Sequence, residues 1–282
     1  QGNDRMKTDL RPTDRRPARG LVTVLAVGLA GLVGRAESTA TLSSRPGLAG
    51  AAQVEAAYAQ LPLSFEPNRG QTDARVKFLA RGNASTIFLT PSEAVLMLDG
   101  RADAAGHPAF KTAVRIELVG ATPTTTLTGL DLLPGRHHYL IGDDPRGWHT
   151  DVPTYRKVRY QDLYPNIDLV FYHSAHGQLE YDFVVHPGGD PRVIRLAFHG
   201  TEAPILDAAG GLVLSTPAGD LHQPAPLIYQ ESHGRRESVR GGYALLADRA
   251  AGFRVARYDR TRDLVIDPAL QYGTKLMYSS FL

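Results

Sequence analysis

The chain has 282 residues, of which 43% are hydrophobic, enough to bury a sizeable core, and a formal net charge of only +2. It has no cysteine, which excludes disulfides, thiolate catalysis, iron-sulfur clusters and cysteine-ligated zinc, while 28 glycines and 19 prolines suit many short strands and turns better than a helical bundle.

From Met6 the N-terminus carries Lys7, Arg11, Arg15, Arg16 and Arg19, then the apolar stretch Leu21 to Val33, then small residues around Ser38, Thr39 and Ala40. This is the three-part order of a secretory signal peptide, with cleavage expected near Ala40. A membrane anchor is disfavoured, because thirteen residues that include Gly28 and Gly31 fall short of the roughly 20 that cross a bilayer. Arg15-Arg16 alone does not make a twin-arginine signal. The residues before Met6 read as upstream translation of an incomplete frame. Residues 1–40 carry seven Lys/Arg and four Asp/Glu, so the remainder holds 24 basic and 25 acidic side chains. The basicity belongs to the signal, and nothing in the remainder forms the basic stripe a nucleic-acid binder needs.

A spacer with a short helix is expected over residues 41–60, and the β pattern begins at Leu61. Strands are expected near Val76 to Ala80, Thr86 to Leu89, Ala94 to Leu98 and Val114 to Val119. The tract Ala121 to Thr128 reads as a connector or edge strand, since Pro123 cannot donate to a ladder, and marks the boundary between a first lobe (61–128) and a second (129–270). Further strands are expected over Lys157 to Tyr160, Ile167 to Tyr172, Leu179 to Val185 and Val193 to Phe198. Short ones follow near Ile205, Leu212, Asp220, Leu227, Tyr243, Gly252 and Leu264. The expected fold is all-β: an antiparallel β-sandwich, either two packed lobes or one extended sandwich.

One hairpin can be derived in register. With Ala175-His176-Gly177 as a three-residue loop and Gly177 at positive φ, Ile167, Leu169 and Phe171 fall opposite Val185, Phe183 and Tyr181. A one-residue slip would place Asp182 and Glu180 against that apolar face, so burial selects the first register. The opposite face then carries Asp168, Glu180 and Asp182. Glu180 and Asp182, two apart on one strand, would hold their carboxylates roughly 6 to 7 Å apart, the basis for a catalytic acid/base pair acting on a glycosidic bond. With Asp168 the same pair supplies oxygen ligands for calcium. The ordinary explanation, a solvated sheet face, is preferred over both, so no cofactor is assigned, with calcium as the alternative.

Nine of the 22 aromatic residues lie between Tyr139 and Phe183. Core packing explains most of them; the remaining reading is a binding surface of Asp143, Asp144, Trp148 and Tyr155, where Asp-Asp-Pro turn chemistry places a loop in solvent. The adjacent His137 and His138 point to opposite faces of a strand and do not chelate one ion. No HExxH, GxSxG or phosphate-loop motif occurs.

Several segments, taken in order, resemble a known family: LPLSFEPNRGQTDARVKFLARG (Leu61 to Gly82), FLTPSEAVL (Phe88 to Leu96), LPGRHHYLIGDDPRGWHTDVPTY (Leu133 to Tyr155), YPNIDLVFY (Tyr164 to Tyr172), QLEYDFVVHPGGDP (Gln178 to Pro191) and LVIDPAL (Leu264 to Leu270). The family is the uncharacterised N-terminal domain of bacterial exported proteins that carry seven-bladed β-propeller (SBBP) repeats. The resemblance implies export to the cell surface or beyond and a downstream propeller of the same chain as partner, and it brings no catalytic residues. LMYSSFL (Leu276 to Leu282) resembles the opening of a propeller repeat that the chain truncates, so residues 271–282 are assigned to it, although the stretch from Ala269 to Met277 is longer than the family's usual junction. The leading expectation is an exported, non-catalytic β domain that precedes a propeller and supports surface display, adhesion or recognition of a glycan or protein. It has no nucleic-acid partner and meets the membrane only during export. The alternative is a carbohydrate-active hydrolase that uses Glu180 and Asp182.

Overall fold

The computed structural model describes residues 64–82, 85–99, 111–173, 179–217, 219–268 and 271–272. The segments read as a signal peptide and a spacer with a short helix, and the expected loop at Gly177, lie outside them, as does the expected propeller start (271–282) beyond residue 272. All the described strands pair antiparallel. The first five are β1 (Phe65–Pro67), β2 (Phe78–Arg81), β3 (Ser85–Leu89), β4 (Glu93–Asp99) and β5 (Lys111–Leu118), followed by the two longest, β6 (Thr126–Tyr139) and β7 (His149–Tyr164). After them come β8 (Ile167–His173), β9 (Leu179–Val185), β10 (Leu196–His199), β11 (Ile205–Leu206), β12 (Leu212–Thr216) and β13 (Gly219–Gln223). The last are β14 (Leu227–Ser232), β15 (Arg235–Ser238), β16 (Gly241–Leu245), β17 (Ala250–Val255), β18 (Leu264–Asp267) and β19 (Gln271–Tyr272).

The main sheet runs β15-β14-β18-β9-β8-β7-β1-β2-β3-β4-β5-β10-β17-β16 without closing into a barrel, and β11-β12-β13-β19 form a second, four-stranded sheet. The main sheet divides at β7, whose C-terminal half pairs with β8 while Tyr155 pairs with Phe65 of β1. β6 follows the other edge of β7 for nearly its whole length. Beyond β7 the two branches fold face to face. Phe183 of β9 meets Phe253 of β17 at 5.8 Å, and Phe253 meets Tyr243 of β16 at 5.4 Å. The contact continues through Tyr181, Phe171 and Tyr160, so one apolar core, from Phe65 to Ile266, serves the whole sandwich-like body. Strands on both sides of residue 128 share one sheet, because β5 pairs with β10.

The hairpin register derived from burial is the one observed: Ile167, Leu169 and Phe171 face Val185, Phe183 and Tyr181, and all six are buried. Strand β5 shows the same logic, with Val114, Ile116 and Leu118 inward and Lys111, Arg115 and Glu117 outward or at the margin. The tract Ala121 to Thr128, read as a connector or edge strand, divides in the structure: residues 121–125 turn, and Thr126 to Thr128 open the 14-residue strand β6, which pairs with β7 alone and so lies at an edge. Its Pro134-Gly135 interruption is absorbed by a register shift between Leu132 and Arg136, so the strand continues past it.

Candidate functional site

The carboxylates on β9 share an outer face, but they are not simply solvated. The Tyr172 hydroxyl donates to Asp182 Oδ1 at 3.0 Å. Ile266 of β18 pairs with Phe183, which sets the next residue, Asp267, beside Asp182. Burial, then the charges of Asp267 and Glu180, push Asp182 up to about 7, against the Tyr172 hydrogen bond and the Arg236 charge. Asp267 is raised too, by burial. The pair therefore retains a proton far above the ordinary aspartate range.

Asp168 does not join them. It is buried, accepts from the Asp162 N–H at 2.8 Å and faces His186 Nε2 at 3.6 Å. The His186 ring is held by Asp263 at 3.0 Å on its other nitrogen. Among the described residues no group of three or more His, Asp or Glu side chains is placed to hold a metal ion, so Asp168, Glu180 and Asp182 are not gathered into a calcium site.

The residues expected to bind are divided as well. Asp143, Asp144 and Trp148 stand on the exposed loop joining β6 to β7, beside Leu140 (53% exposed) and Ile141 (66%). Asp144 caps the short 3-10 turn Pro145–Gly147 and accepts from the backbone N–H of Arg146 at 3.0 Å and from its guanidinium at 2.9 Å. Trp148 donates its indole N–H to the Gly142 carbonyl at 3.1 Å, which ties the ring across the loop while leaving it 37% exposed. Tyr155 is elsewhere. It is half-buried seven residues along β7, edge-on to Phe78 at 6.2 Å, and a Cβ on Gly129 would fall 2.5 Å from its ring. A joint platform of Trp148 and Tyr155 does not form, because Tyr155 lies against the core.

A cluster missed in the sequence lies at the base of this loop. Phe65 of β1 enters the core, so Glu66 faces the other way, yet it is only 1% exposed because β6 covers it. Its Oε1 accepts from Arg81 at 2.6 Å and from the Tyr139 hydroxyl, and its Oε2 meets His137 Nδ1 at 2.5 Å. Burial opposes ionisation, but hydrogen bonds from His137 and Tyr139 and the charges of His137 and Arg81 outweigh it and hold the carboxyl below its ordinary value. Four residues further on, Gly70 adopts φ +116°, and a Cβ there would fall 2.7 Å from the His149 ring. The Phe65–Gly70 segment thus braces the last turn of β6 through His137 and Tyr139 and the first residue of β7 through His149. The alternation that faces His137 and Tyr139 the same way was visible in the sequence. Their partner, more than 70 residues upstream, was not.

The fold and this arrangement define an all-β module that holds a turn-capped aromatic loop at the end of a braced two-stranded arm. The model of one family, described as a domain of unknown function (DUF7948), matches residues 65–269, and the chain belongs to that family. No curated protein and no solved structure matches it.

Proposed function

We propose that this chain is an exported, non-catalytic recognition domain that precedes a β-propeller and contacts a cell-surface glycan through the loop from Leu140 to Trp148. The observation that carries this reading is the fixing of Trp148 by Gly142 on a loop whose neighbours Leu140 and Ile141 are in solvent. An aromatic ring held in place loses little freedom on binding, and its face offers large contact area. The bracing by Glu66 and Gly70 extends that rigidity to both strands beneath the loop. Export and the propeller context rest on the signal-like N-terminus and the family resemblance of the segments quoted above. The test is retention on immobilised cell-surface glycans: Trp148→Ala should weaken retention with an unchanged thermal melt, and undiminished retention would remove the loop from the proposal.

One observation favours the hydrolase alternative. Asp182, held near 7, is in the protonation range of a general acid at neutral pH, with Glu180 two residues away on the same face. A glycan-hydrolysis screen decides between the two: turnover abolished by Asp182→Asn or Glu180→Gln would replace recognition with catalysis.

A further inference from the structure

A cleft of about 660 Å³ opens between the 3-10 turn Pro191–Val193 and the segment 255–260 that leaves β17, within the range of about 300–1,000 Å³ typical of small-ligand sites. Its walls include Asp190, Arg192, Arg257, Tyr258, Asp259 and Arg260. Both acids are already engaged. Asp190 caps the turn and takes a two-pronged contact from Arg192 at 2.9 and 2.7 Å. Asp259 accepts from the Thr261 hydroxyl at 2.6 Å and from Arg262 at 3.0 Å. The other two arginines are not so occupied. Among the described residues Arg257 and Arg260 form no ion pair or hydrogen bond; Arg260 lies 5.9 Å from the Tyr258 ring and acts on Asp190 only through space. Both are exposed. The cleft therefore offers two guanidiniums without a direct partner among the described residues, that of Arg260 near the Tyr258 ring.

The wall that carries them is held in place from beneath. Gln230 of β14, 3% exposed, accepts from the Asp259 N–H at 3.0 Å. It donates to the carbonyls of Asp259 at 2.8 Å, Asp263 at 3.2 Å and Arg262 at 3.3 Å. A buried amide that satisfies four backbone groups of one loop fixes its path before any ligand arrives. Residues 256–260 belong to no strand; the Ala256 N–H still donates to the Arg240 carbonyl at 2.8 Å, beyond the last pair of β16 and β17.

We propose that this cleft binds an anionic saccharide, the guanidiniums of Arg257 and Arg260 taking its carboxylate or sulfate and Tyr258 lying against the sugar ring. Guanidinium forks match both anions, and a tyrosine ring beside polar walls suits a hydroxyl-bearing ring better than a purely apolar ligand. The site is separate from the Trp148 loop and does not depend on it.

Calorimetric titration of the full chain with trigalacturonate, with sulfated maltotriose and with maltotriose tests this. At least one charged trisaccharide should bind saturably, with maltotriose at least about tenfold weaker, and Arg257→Ala/Arg260→Ala should cost the charged sugar about tenfold or more. The control pair Arg156→Ala/Arg235→Ala, exposed arginines on β7 and β15, should change affinity less than about twofold. Which charged sugar binds tells carboxylate from sulfate. Binding of neither, equal binding of maltotriose, equal losses in both double variants, or tighter binding of a tri-aspartate peptide than of either sugar would overturn the proposal. The comparison of sugars on the unaltered chain stands whatever the variants do.

Discussion

At Glu66 a carboxylate only 1% exposed is met by Arg81, His137 and Tyr139, and removing one member of such a group leaves charged or polar partners uncompensated. Glu66→Ala should lower the unfolding free energy by about 3 kcal/mol in urea titrations, whereas a loss below about 1 kcal/mol would mark it as an ordinary surface pair. Because its native pKa lies below the ordinary 4.5, its contribution is fully present above that value and is lost as pH falls through the native one. Asp182 runs the opposite way. Its native value of about 7 lies above the ordinary 3.8, so the folded state binds the extra proton between those limits and stability falls as pH rises from about 4 to about 7. Asp182→Asn should therefore raise the melting temperature at pH 8 and leave it nearly unchanged at pH 4; an equal shift at both would show that the pair with Asp267 is not a source of strain. Asp182 itself was legible as a chemically interesting carboxylate. Asp267 was not, because only the pairing of β18 with β9, more than 80 residues apart, brings the two together.

Among the elements, the arm formed by β6 and β7 departs most from what its sequence suggests. Strand β8 and strand β9 alternate apolar and polar residues, so burial alone specified their register. Strand β6 has no such alternation: none of its 14 residues is fully buried, and Pro134 cannot donate to a ladder. What holds it is the ladder with β7 and the close crossing of Tyr155 over Gly129. Gly129→Ala should cost about 1–3 kcal/mol, since the added methyl meets the ring at its base and not at a flexible end. Thermal melts decide this, and a neutral result would show that Tyr155 moves aside freely. The same strand explains why the loop's chemistry was half legible. Turn residues placed Asp144 and Trp148 in solvent, but Tyr155 was assigned to the same surface because nothing local says which face of a long strand meets the core.

Over the whole molecule, the aromatic contacts from Tyr160 to Tyr243 join strands of both branches into one core. A single core predicts a single calorimetric transition for residues before and after 128; two resolved transitions would favour two packed lobes over one extended sandwich. Phe183→Ala, at the contact between the branches, should destabilise by about 3–5 kcal/mol, and its coupling to Phe253 in a double-mutant cycle should be about 0.5–1.5 kcal/mol. The all-β class was legible from strand and turn signals, while the joining of branches through β7 was not, since it depends on one strand pairing with β8 and β1 along the same edge. The central claim, that this body presents Trp148 to a surface glycan, has a built-in reporter, because the chain contains one tryptophan. Its fluorescence should shift and saturate as cell-surface glycan is titrated into the full chain. Glycan retention with unchanged Trp148 emission would contradict the account.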